Sequence, residues 1–175
     1  MKVAHAQVAG AGLDVHAWAS AEGLVAIRLG PVPASGRDGG RPVDGISVEG
    51  APPETLRSLA RALVRYLEGS RLEWTGPLDL RGVTPFRQRV FDVVSEIPHG
   101  ETRSYGAIAA ALGRPEAVRA VGMALGRNPF PLVVPCHRVL RADGELGGYV
   151  AGGEVKRRLL ALEAGQTELD WEAVR

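Results

Sequence analysis

The chain has very little cysteine and lysine, and no long apolar runs. One cysteine, Cys136, stands in 175 residues. No intrachain disulfide can therefore form, and one chain cannot assemble a thiolate-rich zinc or iron–sulfur site. The thiol is either an inert buried hydrophobe or a nucleophile. The longest apolar runs, such as Pro129 to Pro135, fall far short of the roughly 20 residues that a membrane span requires, so a membrane protein is not expected. The N-terminus, Met1-Lys2-Val3-Ala4-His5, lacks a basic segment followed by a long apolar one, which points to a cytoplasmic address. Lys2 and Lys156 are the only lysines, so the positive charge is almost wholly arginine.

A net charge of +1 hides an uneven distribution. Residues 1–80 carry 8 basic and 9 acidic side chains, residues 81–160 carry 12 and 7, and residues 161–175 carry 1 and 4. The middle segment is the basic one. That excess is compatible with a polyanionic partner, and equally with an ordinary solvated surface.

Alternation in Leu13, Val15 and Trp18, and again in Val25, Ile27 and Leu29, predicts a hairpin of two strands around Ala21-Glu22-Gly23. A turn-rich stretch follows from Gly30 to Pro53, with room for a short strand near Ile46 to Val48. Leu56, Leu59, Leu63 and Leu67 then recur at helical spacing, and Gly69 supplies the stop. Thr84-Pro85 reads as a cap with proline at the first helical position, and Phe86, Val90, Val93, Val94 and Ile97 form the next apolar stripe. The class expected is α/β. A mixed N-terminal part, residues 1–80, precedes a mostly helical C-terminal part, residues 81–175.

From Gly100 to Gly126 the pattern is that of a helix-turn-helix. Ser104 caps a helix with Ile108, Ala111 and Leu112 inside, Gly113-Arg114-Pro115 turns the chain, and Ala117, Val118, Ala120, Val121 and Ala124 follow. Small residues on the second helix suit close approach to another surface, or tight packing in a small core. Arg119 is the one long cation among them.

Val134-Pro135-Cys136-His137-Arg138 sets the lone thiol beside a histidine, after the strand-like run Phe130, Leu132, Val133 and Val134. A free thiol is only a few per cent thiolate at neutral pH, so a nucleophilic role needs a base. Neighbours in a strand point to opposite faces, so His137 would act through a water unless a tight turn follows Cys136. Glu163, on a helix expected from Glu154 to Glu163, is the candidate orienting carboxylate.

These motifs together resemble the O6-alkylguanine-DNA alkyltransferases. Pro135-Cys136-His137-Arg138, Asn128-Pro129, Arg119-Ala120-Val121-Gly122, Gly148-Tyr149 and Leu159-Leu160-Ala161-Leu162-Glu163 stand at the family's relative spacing, as do Ile97-Pro98-His99-Gly100-Glu101-Thr102 and Ser104-Tyr105-Gly106. The likeness runs from about Thr84 to Glu163. Residues 1–80 resemble the family's ribonuclease H-like N-terminal domain more loosely.

The resemblance implies direct reversal of DNA damage. Cys136 is expected to take the alkyl group from O6 of guanine, with His137 as base through a water, Glu163 holding the imidazole, and Asn128 fixing the turn. Tyr105 would donate to N3 of the leaving guanine. The carbonyls of Cys136 and Val139, the amide of Val150, and Tyr149 would line the base pocket. Arg119 would fill the vacated place in the stack, with Ala120 and Gly122 near the minor groove and Ser104, Gly106 and Arg114 near phosphates. The implied partner is double-stranded DNA carrying O6-alkylguanine, met by a monomer that needs neither cofactor nor metal. Thioether formation would limit each chain to one event.

The chain departs from the family's pattern at Arg87, commonly glutamine, at Phe91, commonly tryptophan, and in the loop Val150-Ala151-Gly152-Gly153. Two rivals are a module that flips the base without reacting and a cysteine hydrolase. Cys136 argues against the first, and the absence of a separate oxyanion-hole motif against the second.

Overall fold

The computed structural model describes residues 2–30, 37–38, 41–42, 47–48 and 53–166. It opens with three antiparallel strands, β1 (Lys2–Gly10), β2 (Leu13–Ala19) and β3 (Leu24–Leu29). β4 (Arg37–Asp38) and β5 (Arg41–Pro42) pair with each other, while β6 (Ser47–Val48) runs parallel to β1. The main sheet has the order β3-β2-β1-β6. The expected hairpin is present as β2 and β3, with Val15 paired to Leu29 and Ala17 to Ile27. β6 falls in the stretch expected to hold a short strand, although Ile46 lies outside the described residues.

β1 escapes the sequence pattern because its Ala-rich run has weak strand propensity. Pairing on both sides, to β2 and β6, makes it a strand. Ala11 (φ 49) and Gly12 (φ 67) form the two-residue connection to β2, both on the left-handed side. That backbone suits the right-handed twist of the strands it joins.

Helix α1 (Glu54–Leu67) covers the sheet with Leu56, Leu59, Leu63, Tyr66 and Leu67 buried, and keeps Arg57 and Arg61 outside on Glu54 at 2.9 and 2.7 Å. Such exposed pairs contribute only a few tenths of a kcal/mol each, so burial of the leucine stripe is what seats the helix.

The segment after α1 returns along the β3 edge, and the chain beyond it also pairs there. The Leu24 amide donates to the Pro77 carbonyl (2.9 Å), and the Asp79 amide to the Leu24 carbonyl (2.8 Å). Gly23 permits this approach, since a Cβ there would lie 2.5 Å from the Pro77 oxygen. Further along, the Ile27 amide donates to the Pro129 carbonyl (2.8 Å), one residue past Asn128. Asp79 also accepts from Ser20 (3.1 Å) and pairs with Arg81, which holds its carboxyl down at about 2.

α2 (Pro85–Ser95) starts where expected, with the Thr84 hydroxyl accepting from the Arg87 amide at 3.4 Å, and it stops two residues short of Ile97. β7 (Arg103–Ser104) leads directly into α3 (Tyr105–Ala111), capped by Ser104 Oγ accepting from the Ala107 amide (3.1 Å). A 3₁₀ turn at Pro115–Ala117 precedes α4 (Val118–Leu125), so Ala117 lies before the second helix rather than in it. β8 (Val139–Leu140) pairs in parallel with β7, and α5 (Gly153–Glu163) closes the described fold. One buried hydrophobic cluster runs from the sheet and α1 through α2, α3, α4 and α5.

No helix among the described residues is long and apolar enough to cross a membrane.

Candidate active site

Cys136 lies on a 3₁₀ turn, Cys136–Arg138, and not at the end of a strand. The strand-like reading of Phe130 to Val134 fails for a physical reason. Pro129, Pro131 and Pro135 have no N–H to offer a ladder, and Leu132 sits at φ 76. Only an isolated bridge, Pro131 to Val134, remains. The tight turn means that the opposite-face argument for Cys136 and His137 does not apply.

Asn128 organises this turn. Its Nδ2 donates to the Val134 carbonyl (2.9 Å) and to Cys136 Sγ (3.1 Å), and its Oδ1 accepts from the Phe130 amide (2.9 Å). The side chain thus holds the sulfur as well as the main chain. Cys136 is 3% exposed. Burial pushes its thiol up to about 11, against the smaller opposing effects of the Asn128 hydrogen bond and the Lys156 charge. A thiol that weak in acidity is deprotonated in only about one molecule in 10⁴ at pH 7, so a base must act at the moment of reaction.

His137 is fully buried, and its Nε2 shares a 2.8 Å hydrogen bond with Glu163 Oε1. Its Nδ1, also buried, has no protein partner among the described residues. Burial lowers the imidazole pKa and Glu163 partly restores it. Glu163 accepts on Oε1 from His137, Tyr66 Oη (2.8 Å) and Arg138 (2.8 Å). On Oε2 it accepts from Arg138 Nε (2.8 Å) and the Gly100 amide (3.1 Å). Burial alone would raise this carboxyl, but the His137 and Arg138 hydrogen bonds and charges hold it far below the usual range. Arg138 also donates to the Ile97 carbonyl (2.7 Å), so the fork is braced at both ends.

Tyr105 stands at the start of α3, and its hydroxyl donates to the Gly148 carbonyl (3.3 Å). A Cβ on Gly147 would lie 3.3 Å from that hydroxyl, which fits glycine at this left-handed position (φ +64). Burial and the nearby Cys136 raise the Tyr105 pKa. The Tyr149 ring stands edge-on to His137, and its buried hydroxyl has no protein partner among the described residues. Val150 is 38% exposed. Lys156 is buried, donates to the carbonyls of Val139 (2.6 Å) and Leu146, and is lowered to about 8 by that burial. The Val139 carbonyl, expected to read the base, thus already accepts one hydrogen bond. A carbonyl oxygen has two lone pairs.

The β7–β8 pairing sets α3 beside the cysteine turn. Arg119 and Arg114 are exposed, Ala120, Gly122, Ser104 and Gly106 are half-buried, and a Cβ on Gly122 would lie 4.0 Å from Tyr105 Cε1. Val118 (40%) and Met123 (61%) are large apolar side chains left exposed on the same helix as Arg119. Among the described residues, no group of three or more His, Cys, Asp or Glu side chains could hold a metal ion.

The structure therefore assembles Cys136, His137, Glu163, Asn128, Tyr105 and Tyr149 in one place. Arg138, Lys156 and Tyr66 belong to the same network and were not assigned site roles from sequence. Arg138 carried a signal, as a cation within the Cys-His motif. Tyr66 carried almost none, being one more apolar position on a leucine stripe.

A family model described as 6-O-methylguanine DNA methyltransferase, DNA binding domain, matches residues 85–165. The methylated-DNA–protein-cysteine methyltransferase of Mycobacterium tuberculosis (strain H37Rv) is 51% identical over 118 residues, 67% of this chain and 71% of that protein. The protein of the same name from Methanothermobacter thermautotrophicus is 42% identical over 123 residues, 70% of this chain and 69% of the other. This chain belongs to the methylated-DNA–protein-cysteine methyltransferase family. The crystal structure of Mycobacterium tuberculosis OGT in complex with DNA superposes with a TM-score of 0.80 at 33% identity, covering 100% of both chains. The O6-methylguanine-DNA methyltransferase of Pyrococcus kodakaraensis gives 0.63 at 28% identity, over 93% of this chain and 98% of that one. The likeness to these family members thus extends beyond the DNA-binding domain into the N-terminal half.

Proposed function

We propose that this methyltransferase repairs O6-alkylguanine, chiefly O6-methylguanine, by moving the alkyl group onto Cys136 once per chain. One observation carries the reading: Asn128 holds the sulfur of a buried cysteine next to a His137–Glu163 pair whose second imidazole nitrogen is unpartnered by protein.

In the step proposed, Cys136 Sγ loses its proton through a water to His137 Nδ1 and attacks the alkyl carbon in line. The S–C bond forms as the C–O6 bond breaks, and the electron pair goes to guanine. Tyr105 donates to N3 as that charge develops. Glu163, anionic throughout, stabilises the imidazolium. The Val139 carbonyl offers its second lone pair to the exocyclic amine, next to the Cys136 carbonyl. The amide of Val150 serves O6, and the Tyr149 ring borders the pocket. The thioether product has no group beside it able to regenerate the thiol. O4-methylthymine is a secondary candidate substrate.

To reach a base inside a duplex the protein must flip it. We read α3, the turn and α4 as a helix-turn-helix that meets the minor groove, with Ala120 and Gly122 allowing close approach and Arg119 entering the stack. We read Ser104, Gly106 and Arg114 as phosphate contacts. The reading takes residues 81–175 as the DNA-binding and transfer domain and residues 1–80 as a ribonuclease H-like domain. It takes the active form as a monomer in the cytoplasm. The position of the matched family domain, 85–165, supports that division.

One experiment with three proteins tests this. Duplex oligonucleotide carrying O6-methylguanine is incubated with the parent chain, Cys136→Ala and Arg119→Ala, and the nucleosides are quantified. The parent restores guanine and Cys136→Ala restores none. Arg119→Ala is slower by about tenfold or more on duplex, since it loses an offset to unstacking of a few kcal/mol. With free O6-alkylated guanine its rate stays within about twofold of the parent. Restoration by Cys136→Ala contradicts the transfer reading, and equal losses of Arg119→Ala on both substrates contradict the intercalating role.

A further inference from the structure

We infer that Tyr66 is a positioning residue of the transfer site: from α1, in the N-terminal half, its hydroxyl shares Glu163 Oε1 with His137 and restrains the basicity of that imidazole. The inference rests on the transfer reading above and adds a residue from the other half of the chain.

Tyr66 occupies a position where α1 needs only apolar bulk. Leu56, Leu59 and Leu63 precede it on the same buried stripe. A tyrosine there must find an acceptor for its buried hydroxyl, and it finds Glu163 Oε1 at 2.8 Å, 97 residues away in sequence. The same oxygen takes His137 Nε2 and Arg138 at 2.8 Å each. Three donors crowd an oxygen with about two lone-pair sites, so they compete for its charge. Tyr66 Oη also lies 3.5 Å from His137 Nε2, placing it at the junction of the pair.

Removing the hydroxyl leaves more of the carboxylate's charge for His137. Opposite charge nearby, less spent on other donors, favours the imidazolium, so the imidazole becomes more basic. The remaining groups around the pair stay as they are. These are His99, with Nδ1 3.8 Å from Oε1, the Arg138 fork, the Gly100 amide, the Tyr149 ring, and Cys136 and Lys156.

Tyr66→Phe keeps the ring and deletes only the hydroxyl. Two readouts follow in the full chain: titration of the His137 imidazole by NMR without DNA, and single-turnover alkyl transfer against pH with O6-methylguanine duplex. The expected result is a His137 midpoint raised by roughly one pH unit, with the acid limb of the transfer profile moved up equally. Transfer then falls at acidic pH and stays within about twofold of the parent at pH 8. Leu63→Ala, a packing loss on the same helix face, lowers the unfolding midpoint and leaves the His137 midpoint in place. An unmoved His137 midpoint, or a transfer rate lowered by one factor at every pH, overturns the role of Tyr66. A parent chain that leaves Cys136 unalkylated overturns the transfer reading instead, whichever way the imidazole titrates.

Discussion

Glu163 joins the chemistry of the site to the stability of the fold. Its carboxylate is 1% exposed and accepts from Arg138, His137, Tyr66 and the Gly100 amide. A carboxyl held below its ordinary 4.5 stabilises the native state fully above that pH, and the contribution is lost as the pH falls through the folded value. His137 acts in the same sense. Buried and lowered from 6.5, it takes up a proton more readily unfolded than folded, so acid below about 6.5 also favours unfolding. Glu163→Gln leaves the Arg138 charge buried without its partner and should cost about 3–5 kcal/mol at pH 7. Urea unfolding at a series of pH values is expected to show that loss, with a shallower decline between about pH 5 and pH 3 than in the parent. A variant with the parent's slope contradicts the assignment. Cys136, His137 and Glu163 were legible as residues because each stands in a motif of unusual chemistry. The contact of Asn128 with the sulfur, and Tyr66 on the carboxylate, were not, because both depend on how a turn and a distant helix are brought together.

Periodicity served best among the elements where an amphipathic face decides the structure. α1, α2, α3 and α5 lie close to where their stripes and caps put them, and Ser104 and Thr84 both cap as expected. It served worst at β1, whose alanines read as neither strand nor helix until β2 and β6 flank it. It also failed at Phe130 to Val134, where apolar residues imitate a strand that their prolines prevent. The β1–β2 connection offers a test at this scale. Ala11 holds a left-handed φ of 49, which costs an L-residue with a Cβ roughly 1–2 kcal/mol. Asparagine tolerates that backbone and suits the first position of such a turn ahead of Gly12. Ala11→Asn is expected to raise the unfolding free energy by about 0.5–1 kcal/mol without changing alkyl transfer. Chemical denaturation checks it, and a loss of stability would show that the turn is held differently.

Across the whole molecule, the charge balance and the core say different things about the two halves. The +5 segment coincides with α2, α3, α4, the cysteine turn and most of α5, so the near-neutral total conceals a basic half between acidic ends. Yet the core is continuous, and the halves meet at Ile27 on Pro129 and at Tyr66 on Glu163. The N-terminal half therefore braces the reactive turn from two sides, a relationship that composition and periodicity do not display. With one cysteine in the chain, acceptance of one alkyl group should exhaust the protein. The most direct test is intact-mass and peptide mass spectrometry of the protein after incubation with excess duplex DNA carrying O6-methylguanine. The expected result is a single methyl group per chain, on the peptide containing Cys136, with guanine restored in equal amount. Unmodified protein beside unrepaired DNA, or more than one guanine restored per chain, would contradict the account.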